Sequence, residues 1–78
     1  MTPREKNLLD IDNIAQNYGY DVGDILGKSK FRKLVEVRQK CVLMLRGKGY
    51  STTEIGRIMH RDHSTIVHSL QKSAVKHG

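Results

Sequence analysis

The stretch at residues 51–70, S-T-T-E-I-G-R-I-M-H-R-D-H-S-T-I-V-H-S-L, leaves this chain few folds to choose from. Ser51-Thr52-Thr53-Glu54 has the form of a capping box, in which the serine hydroxyl accepts from an orphan backbone N–H and the glutamate three residues on reaches back. Ile55, Ile58 and Met59 then fall at i, i+3 and i+4, so one face can turn inward while Glu54 and Arg57 stay in water. After a tight polar turn, a second helix is expected, capped by Asp62 and carried by the stripe Ile66, Val67, Leu70 and Ala74. Its first turn, with Asp62, His63, Ser64 and Thr65, is wholly polar. A helix that begins this way at an exposed end is suited to meeting base edges in a major groove.

The chain has 78 residues, enough for one domain with a single modest core. We expect a flexible arm over residues 1–9 and a folded unit over 10–78. With three Tyr, one Phe and no Trp, the core has to come from Ile, Leu, Val and Met, which suits helix packing. The lone Cys41 sits in the apolar run Cys41-Val42-Leu43-Met44-Leu45, which excludes an internal disulfide and suggests a buried thiol in a reducing compartment. There is no run of eighteen apolar residues and no apolar signal core at the N-terminus, so no membrane span is expected and the reading is cytoplasmic.

Charge is unevenly distributed. Residues 1–27 carry two basic and five acidic residues, residues 28–48 eight basic and one acidic, and residues 49–78 four basic and two acidic. A positive block in the middle of the chain is the footprint expected of polyanion binding, where released counterions drive association. A solvated soluble surface is the plainer alternative.

Along the chain, Ile11, Ile14, Ala15 and Tyr18 lie at helical spacing, preceded by Asp10 and Asp12 as caps and followed by Gly19 as a left-handed stop, so a first helix is expected over about 12–18. Asp21 can cap a second, short helix with Val22, Ile25 and Leu26 inward and Gly27 at its end. Lys28-Ser29-Lys30-Phe31-Arg32-Lys33 reads as a basic loop able to lie on phosphates or push a long cation into a minor groove, with Phe31 as a core plug that anchors it. Leu34, Val37, Cys41 and Met44 or Leu45 then mark a central third helix ending near Gly47-Lys48-Gly49, with Arg38, Lys40 and Arg46 on its exposed edges. The fold class is all-α, with about five helices, three of them short.

The order of Asp-Val-Gly-Asp-Ile-Leu, a basic loop, Val37-Arg38-Gln39, Glu54-Ile55-Gly56 and Arg61-Asp62-His63-Ser64-Thr65 followed by Ile66-Val67-His68 resembles the C-terminal DNA-binding domain of DnaA, the bacterial chromosomal replication initiator. The resemblance runs from about residue 11 to residue 74. It implies an all-helical fold with a helix-turn-helix of the Trp-repressor type, double-stranded DNA as the partner, and a short A·T-rich initiator box as the target. By the same resemblance, a role in replication-initiation control or transcription regulation follows.

Carried over residue by residue, Asp62 matches an aspartate that accepts from an exocyclic amine, His63 a histidine packed on bases, and Thr65 a phosphate-facing threonine. Ser64 stands where the family has threonine, which keeps the hydroxyl and loses the methyl. Lys30 falls at the loop arginine of the minor groove, with charge kept and the planar fork lost. Glu36-Val37 replaces Arg-Pro, and Met59-His60 replaces the Gly-Gly before Arg61. The DNA-facing set is therefore Lys28, Lys30, Arg32, Lys33, Arg38, Ser51, Thr52, Thr53, Arg61, Asp62, His63, Ser64, Thr65 and His68. The ATPase motor of DnaA carries a phosphate loop, and no G-x-x-x-x-G-K-[ST] occurs here, which reads as a free-standing domain that occupies initiator boxes, regulates transcription or competes with the full initiator.

Two other classes fit the residues less well. His60, His63, His68 and Asp62 lie close in sequence, but no cysteine pair or zinc-type spacing supports them, and His63 and His68 face different ways on a helix, so no metal, cofactor or enzymatic chemistry is expected. A helical adaptor that binds a protein such as the full-length replication initiator through an apolar face is the alternative function, and the acidic first helix leaves room for it.

Overall fold

A computed structural model describes residues 1–29 and 31–75, with side chains described up to Gln71; Lys30 and Ala74 of the expected sets thus lie outside the described residues or side chains. Five helices and no strands are found among them: α1 (Pro3–Gln16), α2 (Val22–Leu26), α3 (Arg32–Gly47), α4 (Thr52–Met59) and α5 (His63–Val75). Three starts carry the same local chemistry. Thr2 and Glu5, Asp21 and Asp24, and Ser51 and Glu54 form reciprocal capping boxes, each pairing an N-cap side chain with the backbone three residues on. Three ends are matched too. At Gly19, Gly49 and His60 the backbone turns left-handed, and the next N–H reaches back to the last turn: Tyr20 to Ala15 O at 3.0 Å, Tyr50 to Leu45 O at 3.4 Å, Arg61 to Gly56 O at 2.8 Å. Each closes orphan carbonyls as a Schellman motif does.

The core is Ile11 and Ala15 of α1, Ile25 of α2, Leu34, Val37, Cys41, Val42 and Leu45 of α3, Ile55 and Met59 of α4, and Ile66 of α5. Helix α3 supplies the largest share and touches all four other helices, as its apolar run led us to expect. It is not covered all round: Leu43 and Val35 face outward. Burial pushes the Cys41 thiol up to about 11, so it is an inert apolar filler at neutral pH.

Four expectations change. The first helix begins at Pro3, not near residue 12, so most of the stretch expected to be an arm is helical. Its inward stripe is Asn7, Ile11 and Ala15, and the polar member hid the period; Asn7 is 4% exposed because its amide donates to Tyr50 Oη at 2.8 Å and accepts from Lys48 Nζ at 2.9 Å. Asp10 and Asp12 are not its caps. Asp10 pairs with Lys6 and Lys48, while Asp12 accepts from the Val22 N–H at 3.0 Å and so fixes the start of α2. Phe31 does not plug the core: it is 72% exposed, at the N-cap of α3, whose first turn is Arg32 and Lys33 instead of loop. Nor is Arg38 a free edge cation: its guanidinium is held by backbone carbonyls of Ile25 and Gly27.

Candidate nucleic-acid interface

Helices α4 and α5 are joined by residues 60–62, and the geometry of that turn rests on two residues. Gly56 is buried, and a Cβ there would lie 2.7 Å from Arg61 O, so only glycine lets α4 approach the turn this closely. His60 adopts φ 57°, a left-handed conformation that costs a side-chain-bearing residue about 1–2 kcal/mol and that glycine adopts freely. Asp62 then stands at the N-cap position of α5, its carbonyl accepting from the Ile66 N–H at 3.2 Å. Its carboxylate is exposed and has no hydrogen bond among the described residues, so the expected side-chain cap is not made and the acceptor faces outward. His63, Ser64, Thr65 and His68 are exposed as well, while Ile66 between them is buried.

A second set of contacts ties the basic segment beside this helix start. Arg38 Nε donates to Ile25 O at 2.8 Å, its Nη2 to Gly27 O at 2.9 Å and Asp24 O at 3.1 Å, and its Nη1 to Ser29 O. Arg61 donates to Gly27 O and, over longer distances, to Leu26, Met59 and His60 carbonyls. The two guanidiniums thus meet at the C-terminal end of α2, where its orphan carbonyls need donors. Burial, and after it the charge of Arg61, holds Arg38 below its ordinary pKa. Both arginines were expected to face DNA. The structure commits most of their hydrogens to backbone inside the protein.

The result is an open groove of about 550 Å³ lined by Lys28, Arg38, Gly56, His60, Arg61, Asp62 and Thr65. Lys28, Arg38, Arg61, Asp62 and Thr65 from the expected set come together here. Ser51, Thr52 and Thr53 open α4, with Ser51 occupied as its cap. Arg32 is exposed at the start of α3, whereas Lys33 leans over the Tyr18 ring at 5.2 Å, toward the end of α1. His60 and Gly56 are groove residues that sequence reasoning did not assign. No local signal marks His60, because a helix that lacks a glycine after its last turn need not end left-handed; Gly56 stands out only as a glycine inside a helical pattern. Among the described residues, no cluster of three or more metal-ligand side chains occurs and no helix is long and apolar enough to cross a membrane.

Two packed helices joined by a tight turn, the second with an exposed polar first turn beside a groove lined by cations, define a helix-turn-helix protein. The chain belongs to the family of bacterial dnaA protein helix-turn-helix domains, whose family model matches residues 11–72. It is 40% identical over 62 residues to chromosomal replication initiator protein DnaA 1 of Chlamydia pneumoniae, covering 78% of this chain and 14% of that protein. Similarity extends to the Chlamydia muridarum DnaA 1 at 38% over 63 residues (80% and 14%) and to the Mycoplasma pneumoniae DnaA at 32% over 65 residues (82% and 15%). The chain thus spans about a seventh of the length of these relatives. No solved structure gives a significant match.

Proposed function

We propose that this chain binds double-stranded DNA sequence-specifically, with the N-terminal end of α5 in the major groove of an initiator-box-like site. The observation that carries the reading is the outward-facing row Asp62, His63, Ser64 and Thr65, set on a buried Ile66 and bordered by Lys28 and Arg61. Asp62 has a free carboxylate, so it can accept from cytosine N4 or adenine N6, and His63 and Ser64 flank it as further readers. Thr65, Lys28 and the unpaired N–H groups of the first turn of α5 offer a seat for phosphate, where the helix dipole favours negative charge. Arg32, Lys30, Thr52, Thr53 and His68 belong to the same proposed contact set. Arg38 and Arg61 act chiefly by holding the basic segment next to α5.

The relatives are replication initiators by name, and control of replication initiation at DnaA-type boxes is the role we assign. Selection of bound duplexes from a random pool tests this directly. The selected motif should resemble an initiator box with relaxed preference at the thymine that Ser64 cannot contact through a methyl, each weakened contact being worth about 1–3 kcal/mol. Asp62→Asn adds a donor where the wild type only accepts, and should shift preference at one position. An unchanged motif in the folded variant would remove Asp62 from the readout. A protein-binding adaptor, by contrast, would enrich no motif and show little dependence of binding on salt.

A further inference from the structure

We infer that Phe31 is a DNA-contacting wedge, an apolar side chain that enters the duplex beside the site occupied by α5; this rests on the DNA-binding reading above. Three observations meet at this residue. Phe31 is 72% exposed, the most exposed large apolar residue after Met1 among the described residues. It stands at the N-cap of α3 with no side-chain hydrogen bond, although α1, α2 and α4 all begin with capping boxes. Ser, Thr, Asp or Asn would stabilise that position, and phenylalanine forgoes the gain. A site where a chain departs from its own local rule, with an unburied ring as the outcome, is where function is expected. Its neighbours supply the electrostatic half of the argument: Lys28, Arg32 and Lys33 flank it in sequence, a setting suited to a polyanion and unsuited to an apolar protein surface.

Position supplies the rest. Arg38 holds Ser29 O and Arg61 holds Gly27 O, so the segment leading to Phe31 is fastened at two points beside the α4–α5 turn. Lys28 already shares a groove with Asp62 and Thr65, and three residues of chain reach at most about 11 Å from it. That bound keeps Phe31 close to the α5 site, and the neighbouring minor groove is the face of the duplex where an apolar wedge can act. Wedge residues there slide between base steps, unstack them and kink the duplex.

The test uses the 78-residue chain and a duplex taken from its own random-pool selection, labelled with 2-aminopurine at successive steps beside the α5 site. Wild-type binding should brighten one 2-aminopurine by unstacking it. Phe31→Ala should abolish the brightening and weaken binding about 5- to 50-fold, with the salt slope unchanged because no charge is lost. Phe31→Trp should retain both signals, and an unchanged melting temperature of Phe31→Ala would show that its effect is not misfolding. Binding within twofold of wild type by Phe31→Ala, with the fluorescence change intact, overturns the wedge while leaving DNA binding standing. If instead Phe31→Ala and Val35→Ala abolish capture of a protein partner and leave duplex binding and fluorescence untouched, Phe31 is a protein contact and the proposal fails. A wild-type chain that binds no duplex ends the DNA reading itself.

Discussion

Arg38 and Lys28 carry the same charge in the same groove and do different things there. The Arg38 guanidinium donates to four backbone carbonyls at the end of α2, and no other side chain has the planar fork to satisfy them together. Arg38→Lys should therefore destabilise the fold by about 2–3 kcal/mol, the scale of losing charge-assisted hydrogen bonds to partly buried acceptors, read as a lower midpoint in urea. Lys28 is exposed and lines the groove without a hydrogen bond among the described residues. Lys28→Ala should leave the midpoint in place and lower the salt slope of DNA binding by about one unit, with specific and random duplexes weakened alike. If the two substitutions exchanged their effects, the division between holding and binding arginine and lysine would be wrong.

Among the elements, the α4–α5 turn is where stability and function pull apart. Gly19 and Gly49 end α1 and α3 at no steric cost, whereas α4 ends on His60 in the same left-handed conformation. His60→Gly should raise stability by about 0.5–1 kcal/mol, the relief of left-handed strain less the added freedom of the unfolded chain. A lower melting temperature for that variant would mean that the imidazole makes a stabilising contact in the groove. Gly56→Ala tests the opposite case. Its methyl group would press on Arg61 O, and backbone there cannot yield without moving the start of α5. A loss of about 1–3 kcal/mol is expected, together with weaker binding to the selected site.

For the whole molecule, several carboxylates act as fasteners. Hydrogen bonding from Lys48, and then from Lys6, holds the Asp10 carboxyl below its ordinary range; the Thr2 and Ser51 backbone N–H groups do the same for Glu5 and Glu54. A carboxylate whose folded pKa is depressed stabilises the fold above its unfolded value and loses that contribution as pH falls through the folded one. Stability should therefore be flat near neutrality and decline once the pH drops below about 5, where unfolded carboxylates begin to protonate. Asp10→Asn should flatten part of this acid limb in a series of thermal melts, and an unaltered limb would show that the Lys48 link between α1 and the α3–α4 turn contributes nothing. The same fastening changes the charge picture. The acidic residues of the first segment are largely engaged in caps and internal pairs, which leaves less acidic surface for a partner than their count implied.

Local chemistry was legible because it is written in adjacent residues. Ser51 with Glu54, Asp21 before Val22, Gly19 and Gly49 as stops, and the spacing of Ile55, Met59 and Ile66 each act within one or two helical turns, so the chain alone determined four helix positions, the all-α class and the exposed polar start of α5. The same holds for the family, whose motifs are contiguous strings. What could not be read locally depends on partners far along the chain. Asn7 passes for a surface residue until Tyr50 and Lys48 close over it, and with it goes the first half of α1. Phe31 passes for a core residue because apolar side chains usually are buried, yet α3 starts beneath it and turns it to solvent. Arg38 and Arg61 look like DNA contacts from charge alone. Only the fold brings α2's unsatisfied carbonyls against them, and a buried backbone acceptor without a donor costs more than a surface cation returns by staying free.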